Sequence, residues 1–265
     1  MPTHHEQFAA WIAALETRQL AELTFREVSR SLRALSSTYV ERRGRLGEGA
    51  ALSGAGKRAA FALFYAPLHY LLVREIVQAL PGATDRAPAL IDLGCGTGAA
   101  GAAWAAACER SPAIVGVDRH PWALGEADWT YRQFGLAART RQEDVARATL
   151  PKSPALLLAA FTVNELPDAA RDAVLRRLFE RAAGGDRVLI IEPLARGVAP
   201  WWNRWQDAAV AAGGRGDEWR FRVELPAIVT KLDRAAGLNH RELTGRSLWL
   251  GGPPPTPAGG RSASS

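Results

Sequence analysis

Asp92-Leu93-Gly94-Cys95-Gly96-Thr97-Gly98 places an acid and three alternating glycines between an apolar run, Ala89 to Leu93, and an alanine-rich stretch, Ala99 to Ala107. Glycines here remove the Cβ atoms that would hold a ligand off the backbone, and they permit a sharp strand-to-helix turn. A second acid, Asp118, ends the next apolar run, Ala113 to Val117. An acid at that place can accept hydrogen bonds from both hydroxyls of a ribose, so the two features together point to a nucleoside cofactor. The spacing is not G-x-G-x-x-G, the form that seats a pyrophosphate on a helix N-terminus. Further along, Asn164-Glu165 and Glu192 follow two more apolar runs. There an amide can orient a substrate and a carboxylate can accept its proton. Turn shaping by Asn164 and Pro167, with Asp168 capping the next helix, accounts for the same residues.

These groups need a scaffold that brings strand ends together. Residues 5 to 80 read as helices: Phe8, Trp11, Ile12 and Leu15 recur at helical spacing, as do Phe25, Val28, Leu32 and Leu35 behind a capping Thr24. Gly44 to Gly56 interrupts the pattern, and an apolar helix then runs from Phe61 to about Leu80, kinked or divided by Pro67. From Ala89 strands and helices alternate, the pattern of a parallel sheet covered on both faces. Strands are expected at 89–93, 113–117, 138–142, 155–161 and 187–191, and helices near 99–109, 121–134, 168–183 and 226–236. Leu238 to Leu243 and Arg246 to Leu250 read as a last hairpin turned at Thr244-Gly245, which reverses one strand. The expected organisation is an N-terminal helical subdomain (1–82), a cofactor-binding α/β domain (83–250) with an inserted Trp/Arg-rich segment (196–225), and a disordered tail (251–265).

The composition suits one domain with an appendage: 265 residues are enough to bury a sizeable core. The polar N-terminus does not read as a signal peptide, and no apolar run approaches the roughly 18–20 residues of a membrane span. Cys95 and Cys108 lack metal-ligand spacing and disulfide density, so a reducing cytoplasm and no metal are expected. The formal charge of +6 is unevenly spread. Residues 91–195 carry 12 basic and 13 acidic side chains, the 90 before them 11 and 8, and residues 196–250 carry 9 and 6. The basic excess sits on the flanks, where a polyanion such as RNA would be met, and an arginine-rich composition without a ligand explains it equally. Four of the nine tryptophans fall at 201, 202, 205 and 219, interleaved with arginines such as Arg204. Exposed, they would stack on bases; buried, they would pack an inserted helix onto the sheet. Tyr65, His69 and Tyr70 allow the same two readings, closing over a cofactor or packing one helix.

The D-x-G-x-G-x-G form, with its aspartate inside the motif, resembles class I S-adenosylmethionine-dependent methyltransferases. That resemblance implies a Rossmann-like seven-stranded sheet with helices on both faces, one reversed strand, and S-adenosyl-L-methionine as cofactor. It places the cofactor against Asp92, Gly94, Cys95, Gly96, Thr97, Gly98, Asp118, Arg119, Asp144, Val145, Phe161 and Tyr65. Asp118 would hold the ribose and Asp144 the adenine amine, although Asp144 also suits a helix cap. Asn164, Glu165 and Glu192 would border the acceptor, with His69, Trp201, Trp202, Arg204 and Trp205 as substrate contacts. Asn164-Glu165-Leu166-Pro167 shares the asparagine of enzymes that methylate exocyclic base amines, and lacks their double proline and stacking aromatic.

Tyr39-Val40-Glu41-Arg42-Arg43, Phe64-Tyr65-Ala66-Pro67-Leu68-His69, the Asn-Glu-Leu-Pro run and Ile191-Glu192-Pro193 resemble the ribosomal small-subunit-associated methyltransferase-like family, over roughly residues 25 to 200. The cysteine cluster that often binds a metal or iron–sulfur centre in that family is missing. The resemblance implies RNA or the ribosomal small subunit as acceptor. A small-molecule acceptor under the N-terminal helices, or a non-catalytic assembly factor that keeps the fold, stands as the alternative.

Overall fold

Five strands, four of them apolar and followed by a helical segment, pair as the parallel part of a seven-stranded sheet in the computed structural model, which describes residues 3–41, 52–152, 154–194 and 201–251. Residues 42–51, where the helical pattern was expected to break, the start of the Trp/Arg-rich segment (195–200) and the expected disordered tail from 252 lie outside the described residues. The chain runs α1 (His4–Gln19), α2 (Phe25–Glu41), α3 (Ala55–Ala60), a π turn (Phe61–Tyr65), α4 (Ala66–Ala79), β1 (Ala89–Leu93), α5 (Ala99–Ala107), β2 (Ala113–Asp118), α6 (Pro121–Gln133) and β3 (Ala138–Gln142). It continues through β4 (Leu156–Ala160), a 3-10 turn (Val163–Glu165), α7 (Asp168–Ala183), β5 (Arg187–Glu192), α8 (Trp202–Ala211), β6 (Arg215–Phe221), α9 (Ala227–Ala236) and β7 (Leu243–Leu250). The strand order is β3-β2-β1-β4-β5-β7-β6, with β7 antiparallel to both neighbours. The order reverses between β1 and β4, so a crevice opens beyond their carboxyl ends, where open α/β sheets take ligands.

The two faces of the sheet bury alternate residues. Leu189 and Ile191 of β5 face a core shared with α1, α4, α5, α6 and α9, whereas Val188 and Ile190 face α7 and α8. The N-terminal helices are tied into the first core by stacked rings. Phe8 lies 4.8 Å from Tyr70, which lies 5.1 Å from Phe134, and Trp11 packs against both Tyr70 and Phe134. Arg18 and Gln19 at the end of α1 both donate to the buried carboxylate of Glu126 on α6. Thr24 and Glu27 cap α2 reciprocally, as its sequence predicts.

Three expectations change. Pro67 neither ends nor divides its helix. Ala55–Ala79 is one helix of 25 residues, in which the proline's missing N–H is accommodated by a wider turn with Ala66 N–H bonded to the Phe61 carbonyl. This helix is long and apolar enough to cross a membrane, contrary to the sequence reading, but most of it is buried inside the protein. The hairpin at Thr244-Gly245 does not form: both residues lie inside β7, and a Cβ on Gly245 would come within 3.0 Å of Leu72 on α4. The glycine there marks close helix–sheet packing rather than a turn. The seventh strand is instead β6, drawn from the Trp/Arg-rich segment, whose charged residues suit a sheet edge.

That segment packs inward. Trp202 and Trp205 are buried in the core beneath α8, which decides between their two readings for packing and removes them as substrate contacts. Trp201 is half-buried with the Arg171 guanidinium 4.8 Å from its ring centre, and Arg204 is exposed and paired with Asp172. Truncating a fully buried tryptophan costs roughly 3–5 kcal/mol. Trp205→Ala should lower unfolding free energy by about that much in urea titrations, and by more than Trp201→Ala does.

Candidate active site

The glycine turn is clamped from two strands. Asp118, at the end of β2, accepts the Gly96 N–H at 3.0 Å and the His120 N–H at 2.8 Å. Thr162, just past β4, donates its hydroxyl to the carbonyls of Gly94 and Ala160. Gly94 has φ +72°, and an added Cβ would lie 2.3 Å from Thr162, so its lack of a side chain is a packing requirement. Gly96 has φ +51° and nothing within 4 Å of an added Cβ. Its bare flank faces open space beside the half-buried Asp118 carboxylate, whose oxygens keep lone pairs beyond those given to the backbone. A nucleoside fits this cradle.

Asp92 is buried and supports the turn from below. Its Oδ2 accepts the Gly101 N–H at 3.0 Å and the Tyr131 hydroxyl at 3.2 Å, while Oδ1 has no partner. Burial pushes its pKa up to about 7, against the lowering effect of those two bonds, and the Asp118 charge adds to the rise. Cys95 is a buried thiol with its pKa raised by the same burial. Asp144 follows β3, where its Oδ1 accepts the Ala146 N–H at 2.8 Å and its Oδ2 lies 3.7 Å from Arg119. One carboxylate oxygen thus caps a turn and the other faces the arginine beside Asp118.

Beyond β4 and β5 three further groups converge. Phe161 has φ +59°, the only non-glycine positive φ among the described residues. This conformation costs an aromatic residue about 1–2 kcal/mol. Its N–H is held by the Ile191 carbonyl, and its ring stacks on His69 with centres 3.9 Å apart. The His69 side chain retains some surface, and loss of solvent around its ring pushes its pKa down to about 3, so the imidazole is neutral. Glu165 ends the 3-10 turn as an exposed residue, with its carboxyl raised to about 7. Burial contributes most; the Asp118 charge raises it further and Arg119 lowers it. Glu192 is fully buried and holds the turn from the next strand, its Oε1 accepting the Asn164 N–H at 3.2 Å. Its other oxygen has no partner. Burial carries its pKa to about 8, partly offset by the Asn164 bond, and Glu165 adds to the rise.

A family model described as a methyltransferase domain matches residues 90–185, the stretch that holds the glycine turn, Asp118, Asp144 and Glu165. Over that stretch the chain is similar to a methyltransferase domain, and the seven-stranded order with one reversed strand is the class I methyltransferase fold. Among solved structures, an O-methyltransferase from neocarzinostatin biosynthesis, solved with S-adenosylmethionine and 2-hydroxy-5-methyl naphthoic acid, is 16% identical. The alignment covers 89% of this chain and 73% of that one, with a TM-score of 0.51. The mitomycin 7-O-methyltransferase is also 16% identical over 91% and 72% of the two chains, TM-score 0.51. A S-adenosylmethionine-dependent O-methyltransferase from Thermotoga maritima is 14% identical over 68% and 64%, TM-score 0.43. At these identities the likeness is one of fold. No curated protein matches the sequence.

In this fold the structure gathers Asp92, the glycine turn, Asp118, Arg119, Asp144, Glu165 and Phe161 at one end of the sheet. Thr97 is buried within the turn, and Val145 is buried beside Asp144. Tyr65 and His69 join them from the N-terminal helix, Tyr65 half-buried with its ring 6.3 Å from that of His69. Trp201, Trp202 and Trp205 belong to the packing of α8. Sequence reasoning missed Thr162 and Tyr131, because each acts through a contact with a residue far away in the chain, and Phe61, which a π turn brings round toward His69. A shallow groove of about 670 Å³ between α1 and α9, lined by Leu20, Phe25 and Ile228 among others, holds none of the chemistry-bearing residues.

Two outcomes test this geometry. Gly96→Ala should fold with only a modest loss of stability, about 1 kcal/mol for the positive φ, yet bind S-adenosylmethionine much more weakly in calorimetry; Gly94→Ala, which overlaps Thr162, should lose stability itself. The second concerns Glu192, whose folded pKa of about 8 exceeds the ordinary 4.5. Between those values the folded state holds a proton that the unfolded chain has released, so this stabilisation is full in acid and lost as pH rises through about 8. Glu192→Gln cannot ionise, and should reduce the fall in thermal midpoint between about pH 5 and about pH 8.5. The remaining fall belongs to Asp92 and Glu165.

Proposed function

We propose that the chain methylates RNA, with the RNA of the ribosomal small subunit as its acceptor and Glu165 as the base. The observation that carries the chemistry is the position of Glu165. Its carboxyl lies beyond the strand-order reversal within reach of the Asp118 and Arg119 charges, at a pKa suited to taking a proton near neutrality. When bound, S-adenosylmethionine supplies an electrophilic methyl group on a sulfonium.

Asp118 and Gly96 would hold the ribose and the flank of the methionine part, and Asp144 the adenine edge. Asn164, with its backbone fixed by Glu192, would orient the acceptor atom, and Glu165 would take the proton that atom gives up. Phe161 and His69 would exclude water from the reacting end. Catalysis then rests mainly on alignment. The RNA reading is supported by the basic excess on the segments flanking the domain and by the Asn-Glu-Leu-Pro and Ile-Glu-Pro motifs. Burial of Trp202 and Trp205 favours a second reading, a small-molecule acceptor enclosed beneath the N-terminal helices.

Incubation of the protein with methyl-labelled cofactor and fractionated cell extract tests the proposal. Label should enter RNA, and binding of that RNA should weaken steeply with salt; label confined to a salt-indifferent small-molecule fraction would select the second reading. Cofactor binding with no transfer to any fraction would overturn both. Glu165→Gln should keep cofactor affinity and lose roughly 10²–10⁴ in rate. In the unsubstituted protein kcat/KM should rise with pH to a plateau above about 7, where Glu165 is ionised, and the variant should lack that limb.

A further inference from the structure

The long N-terminal helix brings three rings to the reacting end of the sheet. Phe61, Tyr65 and His69 lie four residues apart and are all half-buried, while Phe64 and Leu68 between them are buried in the core. In a regular helix, residues four apart drift by about 40° at each step and rise about 6 Å. The π turn at Phe61–Tyr65 takes an extra residue into its hydrogen-bonded loop, which offsets part of that drift. The rings therefore converge: Phe61 lies 5.8 Å from Tyr65 and 6.1 Å from His69, although Phe61 and His69 are two turns apart. His69 stacks on Phe161, which joins this ring cluster to the strained end of β4.

Two features of the cluster are unexplained by packing alone. Phe161 stays in a costly backbone conformation that sets its ring against His69. The His69 imidazole, with one donor and one acceptor nitrogen when neutral, has no hydrogen-bond partner among the described residues. A π turn is also found disproportionately at functional sites.

We infer that Phe61, Tyr65, His69 and Phe161 form a stacking wall that receives the acceptor as a planar heteroaromatic ring, with the His69 nitrogens meeting its polar edge. The inference rests on the methyl-transfer reading above and names the class of group presented to Glu165 and Asn164. A flat ring answers the stacked and edge-to-face geometry of these rings, and a polar edge answers the unpaired imidazole. The ring comes either as a nucleobase of RNA or as a free small molecule.

The test uses the full chain saturated with S-adenosylhomocysteine, so that no probe enters the cofactor cradle. Saturation-transfer NMR with cytidine should mark the base protons and spare the ribose, and cyclohexanol at the same concentration should give no signal. Phe61→Leu should weaken cytidine binding roughly tenfold, and Phe61→Tyr, which keeps a ring, should restore it. His69→Leu should weaken cytidine but leave benzene binding unchanged. Equal signals from cytidine and cyclohexanol, or unchanged cytidine affinity in Phe61→Leu with its thermal midpoint intact, would overturn the wall. A twelve-nucleotide cytidylate that binds far more tightly than cytidine, and loosens with salt, assigns the ring to RNA; parity between them assigns it to a free molecule. Calorimetry with S-adenosylhomocysteine separates the two levels. Absent binding there sinks the methyl-transfer reading, whereas intact binding without an aromatic preference sinks the wall alone.

Discussion

Contact between Thr162 and Gly94 is the constraint on which the rest of the structure depends. β1 and β4 are adjacent in the sheet but their following helices depart to opposite faces, and the crevice between them exists only if the turn after β1 lies flat against the end of β4. A Cβ on Gly94 would sit 2.3 Å from Thr162, so the turn has no room for any other residue. Asp118 fixes the turn from the opposite side through the Gly96 N–H. Clamped on both edges, the loop presents one unfilled flank, that of Gly96, and there a ligand can meet bare backbone.

The same end of the sheet collects carboxyl groups in a poorly hydrated region. Asp92, Glu165 and Glu192 are each raised to about 7 or 8, with burial as the principal cause in every case. They differ in what they touch. Asp92, bonded to the Gly101 N–H and the Tyr131 hydroxyl, and Glu192, bonded to the Asn164 N–H, act on the positions of loops. Glu165 keeps open surface and shares its surroundings with Asp118 and Arg119. The same functional group thus serves as two buried supports and one exposed carboxyl of raised pKa.

The N-terminal helices complete the site rather than merely precede it. Stacked rings and the Arg18, Gln19 and Glu126 bonds seat α1 on α4 and α6, and the long helix brings His69 to Phe161 at the carboxyl end of β4 while the chain past its far end meets the start of β5. Pro67 is the local cause of the wider turn, and that turn decides which side chains face the cleft. The inward packing of Trp202 and Trp205 has the opposite effect: it withdraws an aromatic segment from the surface and commits it to holding α8 against the sheet.

The sequence by itself determined the cofactor half of this protein. Continuous apolar runs, alternating glycines and an acid at a strand end are local patterns, because each is imposed by a single strand or turn and its immediate ligand. Five strands, most helices and the placement of Asp92, Asp118, Asp144 and Glu165 were legible for that reason. The tertiary structure alone decided the last two strands, since Gly245 is small to admit Leu72 from a helix some 170 residues earlier, and β6 is stabilised as an edge by pairing with β7. It alone decided which tryptophans are buried, and it brought Phe161 and His69, 92 residues apart, into a stack. Composition reports that a residue is aromatic or small; only the packing of distant segments sets what it lies against.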